Sequence, residues 1–441
     1  MNDVNTNKTD SSPKGIFKDS NFLWMIGGGA ISMLGDQFTL IALPWLVLKM
    51  TGDTLILGIV LALISVPRAL LILLGGAVVD RYSPKTVMMQ TKYINTLLLG
   101  ILSVLIFYSK LELWMVYALA LGLGISTAFS IPSGTSMLPK VVAPTQLQSA
   151  NGIMLGMRQL TMFIGPVLAG LLIALFGTHD GTYEQGMIND AQGLAAAFFF
   201  DCFTYAFSAW TLSKVRMHAG MPAPTGDAPT APKPALLQSL AEGLRYCWNE
   251  KQLRSCFLYW SAIAFFIMGP IQIALPVMAN QLSNSASALG LLAGSHGAGT
   301  LLGMALAGMK PNLRFGNLGR TILLVDFIVG ILFIPMGLIT ASWQGAGILL
   351  SVGILGGFLH VAVFTWVQKQ VPPHMIGRAM SMFMFIFMGI GPISAAFTGW
   401  LLRSISVPQL FMGSGSLLVL IVVMATQLSP MINVTDKRAS I

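Results

Sequence analysis

The sequence predicts an all-α membrane protein of twelve transmembrane helices in two six-helix bundles. Three observations carry that prediction: scarce charge, a count of apolar stretches, and a repeat whose two copies flank a proline-rich linker. Of 441 residues only 41 are charged (25 Lys+Arg and 16 Asp+Glu), while AVILMFWYC supply 55%. Soluble domains carry about 25% charged residues, and so few charges cannot cover a soluble surface of this size. A soluble enzyme, a disordered chain and a collagen-like chain are therefore excluded. The surface faces lipid.

A bilayer-spanning helix needs about 20 apolar residues. Twelve stretches meet that length: 22–49, 55–79, 86–108, 113–136, 150–176, 191–212, 254–279, 286–309, 320–340, 344–366, 379–402 and 407–428. The short alternating segments of a β-barrel are not what these runs look like. The apolar run after residues 1–21 is much longer than a signal-peptide core and is read as a retained first span. Cys202, Cys247 and Cys256 are too few for a disulfide framework and match no zinc spacing, so no metal or cofactor is expected.

The net charge of +9 points to membrane topology rather than to nucleic acid, since no soluble basic domain presents it. With both termini on one side, that side holds 19 basic residues, and the opposite side holds Lys49, Lys110 and Arg403. Arg68, Lys92 and Arg158 lie inside spans. The bias places both termini in the cytoplasm.

The expected organisation is a cytoplasmic tail 1–21, a six-helix bundle 22–212, a linker 213–252, a second bundle 253–428 and a tail 429–441. Pro222, Pro224, Pro229, Pro232 and Pro234 make the linker extended. Leu237, Leu240, Leu244, Cys247 and Trp248 then fall on one helical face, as in a helix lying on the membrane surface. The repeat spans this linker: Ile41-Ala42-Leu43-Pro44 recurs as Ile273-Ala274-Leu275-Pro276, Leu57-Gly58 as Leu289-Gly290, Gly76 as Gly308, and Gly165-Pro166 as Gly391-Pro392.

Between spans 2 and 3 stands Gly76-Ala77-Val78-Val79-Asp80-Arg81-Tyr82-Ser83-Pro84-Lys85. It resembles the Gly-x-x-x-Asp-Arg-x-Gly-Arg-Lys signature of the major facilitator superfamily, with Ser83 and Pro84 where the signature has Gly and Arg. The other half keeps Gly308 but has Asn312 where Asp80 would correspond. Leu34-Gly35-Asp36-Gln37-Phe38, Ala42-Leu43-Pro44-Trp45 and Gln370-Val371-Pro372-Pro373 with Gly377-Arg378 are similar to the bacterial drug and siderophore exporter branch, which includes macrolide efflux pumps and the enterobactin exporter. Gly165-Pro166 with Gly170 partly resembles that branch's span 5 antiporter motif, although Thr161 stands where the motif's first Gly would be.

The resemblance implies transport by alternating access rather than enzymatic chemistry. It implies that Asp80, with Gly76, Arg81 and Lys85, latches the bundles in the outward-open state against the start of span 11 near Gly377 and Arg378. The exposed N–H groups of a helix start suit a carboxylate there. It also implies hinge roles for Gly165, Pro166 and Gly170 and for Gly391 and Pro392.

Ionisable groups inside spans are costly and mark function. Asp36, Arg68 and Arg158, on spans 1, 2 and 5, are expected to form one buried cluster, with Asp36 pairing with either arginine and taking part in proton coupling. A permanent structural ion pair is the competing role. Gln272 on span 7 is a candidate hydrogen-bonding partner for substrate. His296 and His360 are titratable candidates of the second half, against which stands a packing role for each. Asp201 and Asp326 are expected to be structural, Asp201 through a hydroxyl such as that of Thr204 or Tyr205. The functional expectation is proton-coupled export of an amphiphilic small molecule by a monomer in the bilayer. An importer, a lysolipid flippase and a non-transporting receptor are the alternatives.

Overall fold

The computed structural model describes residues 16–177, 190–217, 245, 248–283, 285–310, 312–371 and 376–434, with the side chains at 72–77, 80, 144, 148, 283 and 376–388 outside the description. Twelve long helices follow one another among these residues: α1 Ser20–Thr51, α2 Thr54–Arg81, α3 Pro84–Phe107, α4 Leu113–Val141, α5 Leu147–Phe176 and α6 Ala191–Lys214. The second half continues with α7 from Lys251 to Ser283, α8 Ala286–Met309, α9 Leu318–Met336, α10 Ser342–Gln370, α11 Ile376–Leu401 and α12 Val407–Leu428. Each overlaps one of the expected spans, with ends shifted by a few residues. α4 and α10 run past their expected ends at 136 and 366, to Val141 and Gln370. α9 stops at Met336 instead of 340, just after Pro335. The expected surface helix near 237–248 lies almost wholly outside the described residues.

Local chemistry sets the ends. Asp19 caps α1 by accepting from the amides of Asn21 (2.8 Å) and Phe22 (3.4 Å). α1 closes on Gly52, whose φ of +62° is a left-handed conformation that a side chain would disfavour. Asp53 then caps α2 through the amides of Leu55 and Ile56. In α7 the ladder widens to a π turn over Pro270–Ala274, an irregularity that α1 does not share. Gln272 sits in that turn.

The first six helices pack among themselves, α1 on α5 and α6, α2 on α4, α3 on α4 and α6. The last six do likewise, α7 on α11 and α12, α8 on α10, α9 on α10 and α12. The tightest seam joins α8 and α10. A Cβ on Gly299 or Gly303 would collide with the backbone of Leu350 or Ile354, and one on Gly353 or Gly357 with that of His296 or Thr300. Four glycines at four-residue spacing thus let two backbones touch, which is how apolar helices gain contact where burial from water offers no driving force.

The two sets meet along α2–α11 and α5–α8, on the side away from the termini. Near Gly58 an added Cβ would lie 3.1 Å from Ala396 Cα, and at Gly170 one would lie 2.6 Å from the Ala286 carbonyl and 3.0 Å from Gly290 Cα. Thr54 donates to the Gly399 carbonyl (2.8 Å), Lys49 to Asn280 (2.9 Å), and Arg403 pairs with Asp53. Toward the termini α5 and α8 part: positions 152 and 156 of α5 and 308 of α8, all glycine, have no atom within 4 Å of an added Cβ. A cavity therefore opens toward the termini and is sealed at the opposite rim.

Candidate functional site

Asp36 stands at the midpoint of α1 and Arg68 at the midpoint of α2, each more than ~18 Å from the terminus-side end of its helix at 1.5 Å per residue. Asp36 is nevertheless exposed, so it lines the cavity. Tyr205 of α6 donates to its Oδ1 at 2.6 Å. Arg68 interacts electrostatically with Asp36 and with Arg158 of α5, and Arg158 in turn with His360 of α10. Arg158 and His360 are both exposed. The three charges of spans 1, 2 and 5 are thus linked, with Arg68 between Asp36 and Arg158, but the cluster is open rather than buried as expected, since Asp36 and Arg158 are exposed; it extends to the second half through His360.

Behind Asp36 lies a buried polar seam between α1, α3 and α6. Lys92 (4% exposed) donates to Ser32 Oγ at 2.7 Å and holds its ammonium 4.5 Å from the Tyr205 ring centroid. Asp201 (1% exposed) accepts from Thr39 at 2.5 Å and from Thr204 at 3.1 Å. The local hydroxyl expected for Asp201 is therefore present in Thr204, while Tyr205 serves Asp36. Lys92 interacts with both carboxylates and is the strongest electrostatic partner of Asp36. Its weight in the cluster was missed, although an ammonium inside a span is itself a signal. Eight residues from the start of α3, it has the reach to snorkel to the interface, but here it points inward.

The glycine of each glycine–proline motif packs against a glutamine. A Cβ at Gly165 would strike Gln37 of α1, and one at Gly391 would lie 3.3 Å from Gln272 Nε2 of α7. In each half the motif glycine accommodates a glutamine from the first helix of its own set. Farther along α5, the Pro166 carbonyl and Gly170 face Gly290 across the seal. Pro392 is buried within α11. Gln272 is exposed. His296 is half-buried on α8, where its carbonyl accepts from Thr300 at 2.9 Å. Asp326 is buried and accepts from Tyr259 at 2.8 Å.

Of the expected latch, the side chains of Gly76, Asp80, Gly377 and Arg378 lie outside the description. Arg81 is exposed beside the Tyr82 ring. Lys85 donates to the carbonyls of Ser213 (3.1 Å) and Val215 (2.7 Å), tying the start of α3 to the end of α6 within the first set. Among the described residues no group of three or more His, Cys, Asp or Glu is placed to hold a metal.

The sequence profile of the Major Facilitator Superfamily matches residues 25–396. The chain belongs to this superfamily. Its members are transporters and not enzymes. Macrolide efflux protein A of Streptococcus pyogenes is 24% identical over 422 residues, covering 93% of this chain and 96% of that protein. Multidrug efflux pump Tap of Mycolicibacterium fortuitum is 25% identical over 398 residues, covering 86% and 90%. Among solved structures, the nucleoside transporter NupG superposes with a TM-score of 0.68 at 12% identity, covering 94% of this chain and 100% of that one. A bacterial homologue of the iron transporter ferroportin in an inward-facing state gives 0.66 at 14% identity, covering 93% and 99%. These likenesses establish the superfamily fold.

Proposed function

We propose that this transporter exports an amphiphilic small molecule from the bacterial cytoplasm in exchange for protons, by alternating access. It acts as a monomer in the inner membrane with both termini inside. The observation that supports the reading is Asp36, a carboxylate at mid-membrane depth exposed to a cavity that opens on one side only. The 19-to-3 excess of basic residues on the terminus side supports placing that side in the cytoplasm, so the cavity is inward-facing. The efflux relatives support the outward direction.

In the cycle, substrate enters from the cytoplasm while Asp36 is ionised beside Arg68 and Lys92. The bundles rock about the Gly165-Pro166 and Gly391-Pro392 segments, the rim opens, and Asp80 takes up its latch at Gly377 and Arg378. Proton uptake by Asp36 from the outer side resets the protein. Gln272 and His296 offer further polar contacts along the wall.

The test is efflux of a panel of radiolabelled amphiphiles, a macrolide among them, from cells with and without a protonophore. The expected result is energy-dependent efflux of at least one compound and its loss in Asp36→Asn. Full efflux by D36N, or efflux indifferent to the protonophore, refutes the coupling. Net uptake in place of efflux makes the protein an importer.

A further inference from the structure

We propose that the cavity is an organic-anion site, in which Arg158 of the first bundle and His360 of the second grip an oxyanion between them with Arg68 alongside. The exported compound is then a soluble amphiphile carrying a carboxylate or a similar oxyanion. The proposal rests on the transporter reading above and narrows its substrate class.

Geometry supplies the first support. Arg158 is eleven residues from the start of α5 and His360 ten residues from the end of α10, roughly 16 and 15 Å from the terminus side at 1.5 Å per residue. They stand at matched depth on helices of different bundles, and both are exposed to the gap. Arg158 lies one turn below Met162, whose carbonyl abuts Gly297 at the seal, so it marks the closed end of the cavity.

Charge supplies the second. Among the described residues the accessible wall carries one carboxylate, Asp36, against the guanidinium groups of Arg68 and Arg158 and the imidazole of His360. Lys92, behind the wall, interacts with Asp36 first and with Asp201 second. Among the described residues the remaining acids sit elsewhere: Asp326 is bonded to Tyr259 between α7 and α9, Asp190 to Trp45, Asp53 to Arg403 at the rim, Asp19 caps α1, and Glu112 and Glu250 immediately precede α4 and α7. No described carboxylate is in ion-pair contact with Arg158. Arg68 repels it. A guanidinium beside a like charge is stabilised by an incoming anion, and its fork suits a carboxylate bidentately.

The surroundings supply the apolar half. Phe364, one turn toward the open end of α10, stacks with His360 at 6.2 Å between centroids. An oxyanion at Arg158 thus leaves an attached ring or chain lying over Phe364, toward the mouth.

The experiment measures binding to the purified full chain in phosphatidylcholine nanodiscs. The probes share one body and differ in charge: 1-naphthaleneacetate, 1-naphthaleneacetamide and 1-naphthaleneethylamine. The acetate is expected to bind about tenfold or more tighter than the amide, and the amine weakest. Arg158→Gln and His360→Gln should each erase most of that preference, the acetate losing more affinity than the amide, and Arg158→Lys should keep part of it. An unfolding temperature equal to that of the wild type shows that the variants are folded. Equal affinity for the three probes, absence of binding, or a charge preference that survives R158Q overturns the proposal. Displacement of the acetate by lysophosphatidylglycerol at tenfold lower concentration also overturns it, assigning the site to a lipid headgroup. Binding needs no flux, so failure of the export assay leaves this result standing on its own.

Discussion

Replacing Gly170 by alanine tests the reading of the outer rim as the contact that closes the cavity. The new Cβ would lie 2.6 Å from the Ala286 carbonyl, where ordinary contact begins at 3.4 Å, so α5 and α8 are short by about 0.8 Å. Both obstructing neighbours, Ala286 and Gly290, are backbone, and no flexible side chain can swing aside. Overpacking of this kind costs about 1–3 kcal/mol. The cost falls only on the state in which the rim is closed, so it shifts the equilibrium toward rim-open by about 5- to 150-fold. Electron–electron resonance between spin labels at Glu112 and Ser404, exposed on the rim in different bundles, reads the shift in a cysteine-free background. G170A should transfer population to a longer distance. Gly156→Ala, on the same helix but in open space, should leave the distribution unchanged. A G170A distribution matching wild type, or a shift of equal size in G156A, would refute the assignment of α5–α8 as the seal.

Two other consequences are open to measurement. Its bond to Arg403 holds the Asp53 carboxyl below the usual carboxylate range. A depressed carboxylate favours the closed rim at every pH above its ordinary value of about 3.9 and loses that contribution only as pH falls through the lowered one. The rim distance should therefore be constant from pH 8 to 5 in wild type. Asp53→Asn should lengthen it across that whole range, and the exchange Asp53→Arg with Arg403→Asp should restore it. At the far seam, Tyr259→Phe removes the hydroxyl that satisfies buried Asp326. A loss of about 1–3 kcal/mol in stability is expected, read as a lower unfolding temperature with the rim distance unaltered.

The spans were legible because lipid demands a length and a composition, and both are local properties of the sequence. Pairings between helices depend on how each helix is rotated, which only packing decides. Asp36, Arg68 and Arg158 were recognisable as costly charges within reach of one another through the long arginine side chains, and they do meet. That Tyr205 serves Asp36 while Thr39 joins Thr204 on Asp201 could not be read, since hydroxyls are too common along these helices to choose among. Lys92 was visible as an ammonium within a span, but its long side chain is compatible with either direction. The π turn that carries Gln272 also has no sequence signature beyond Pro270. The four seam glycines are different: their spacing is plain in the sequence, and its meaning required only the partner helix.

That seam has a mechanical consequence. α8 presents Gly290 and Gly297 to α5 at the rim and Gly299 and Gly303 to α10, with backbone against backbone on both faces. Joined without intervening side chains, α8 and α10 have little room to slide and move as one lever. His360 rides on that lever while Arg158 rides on α5. The separation of the two residues and the state of the rim are therefore one variable, so a ligand held between them senses, and is sensed by, the gate at the far end of the same helices.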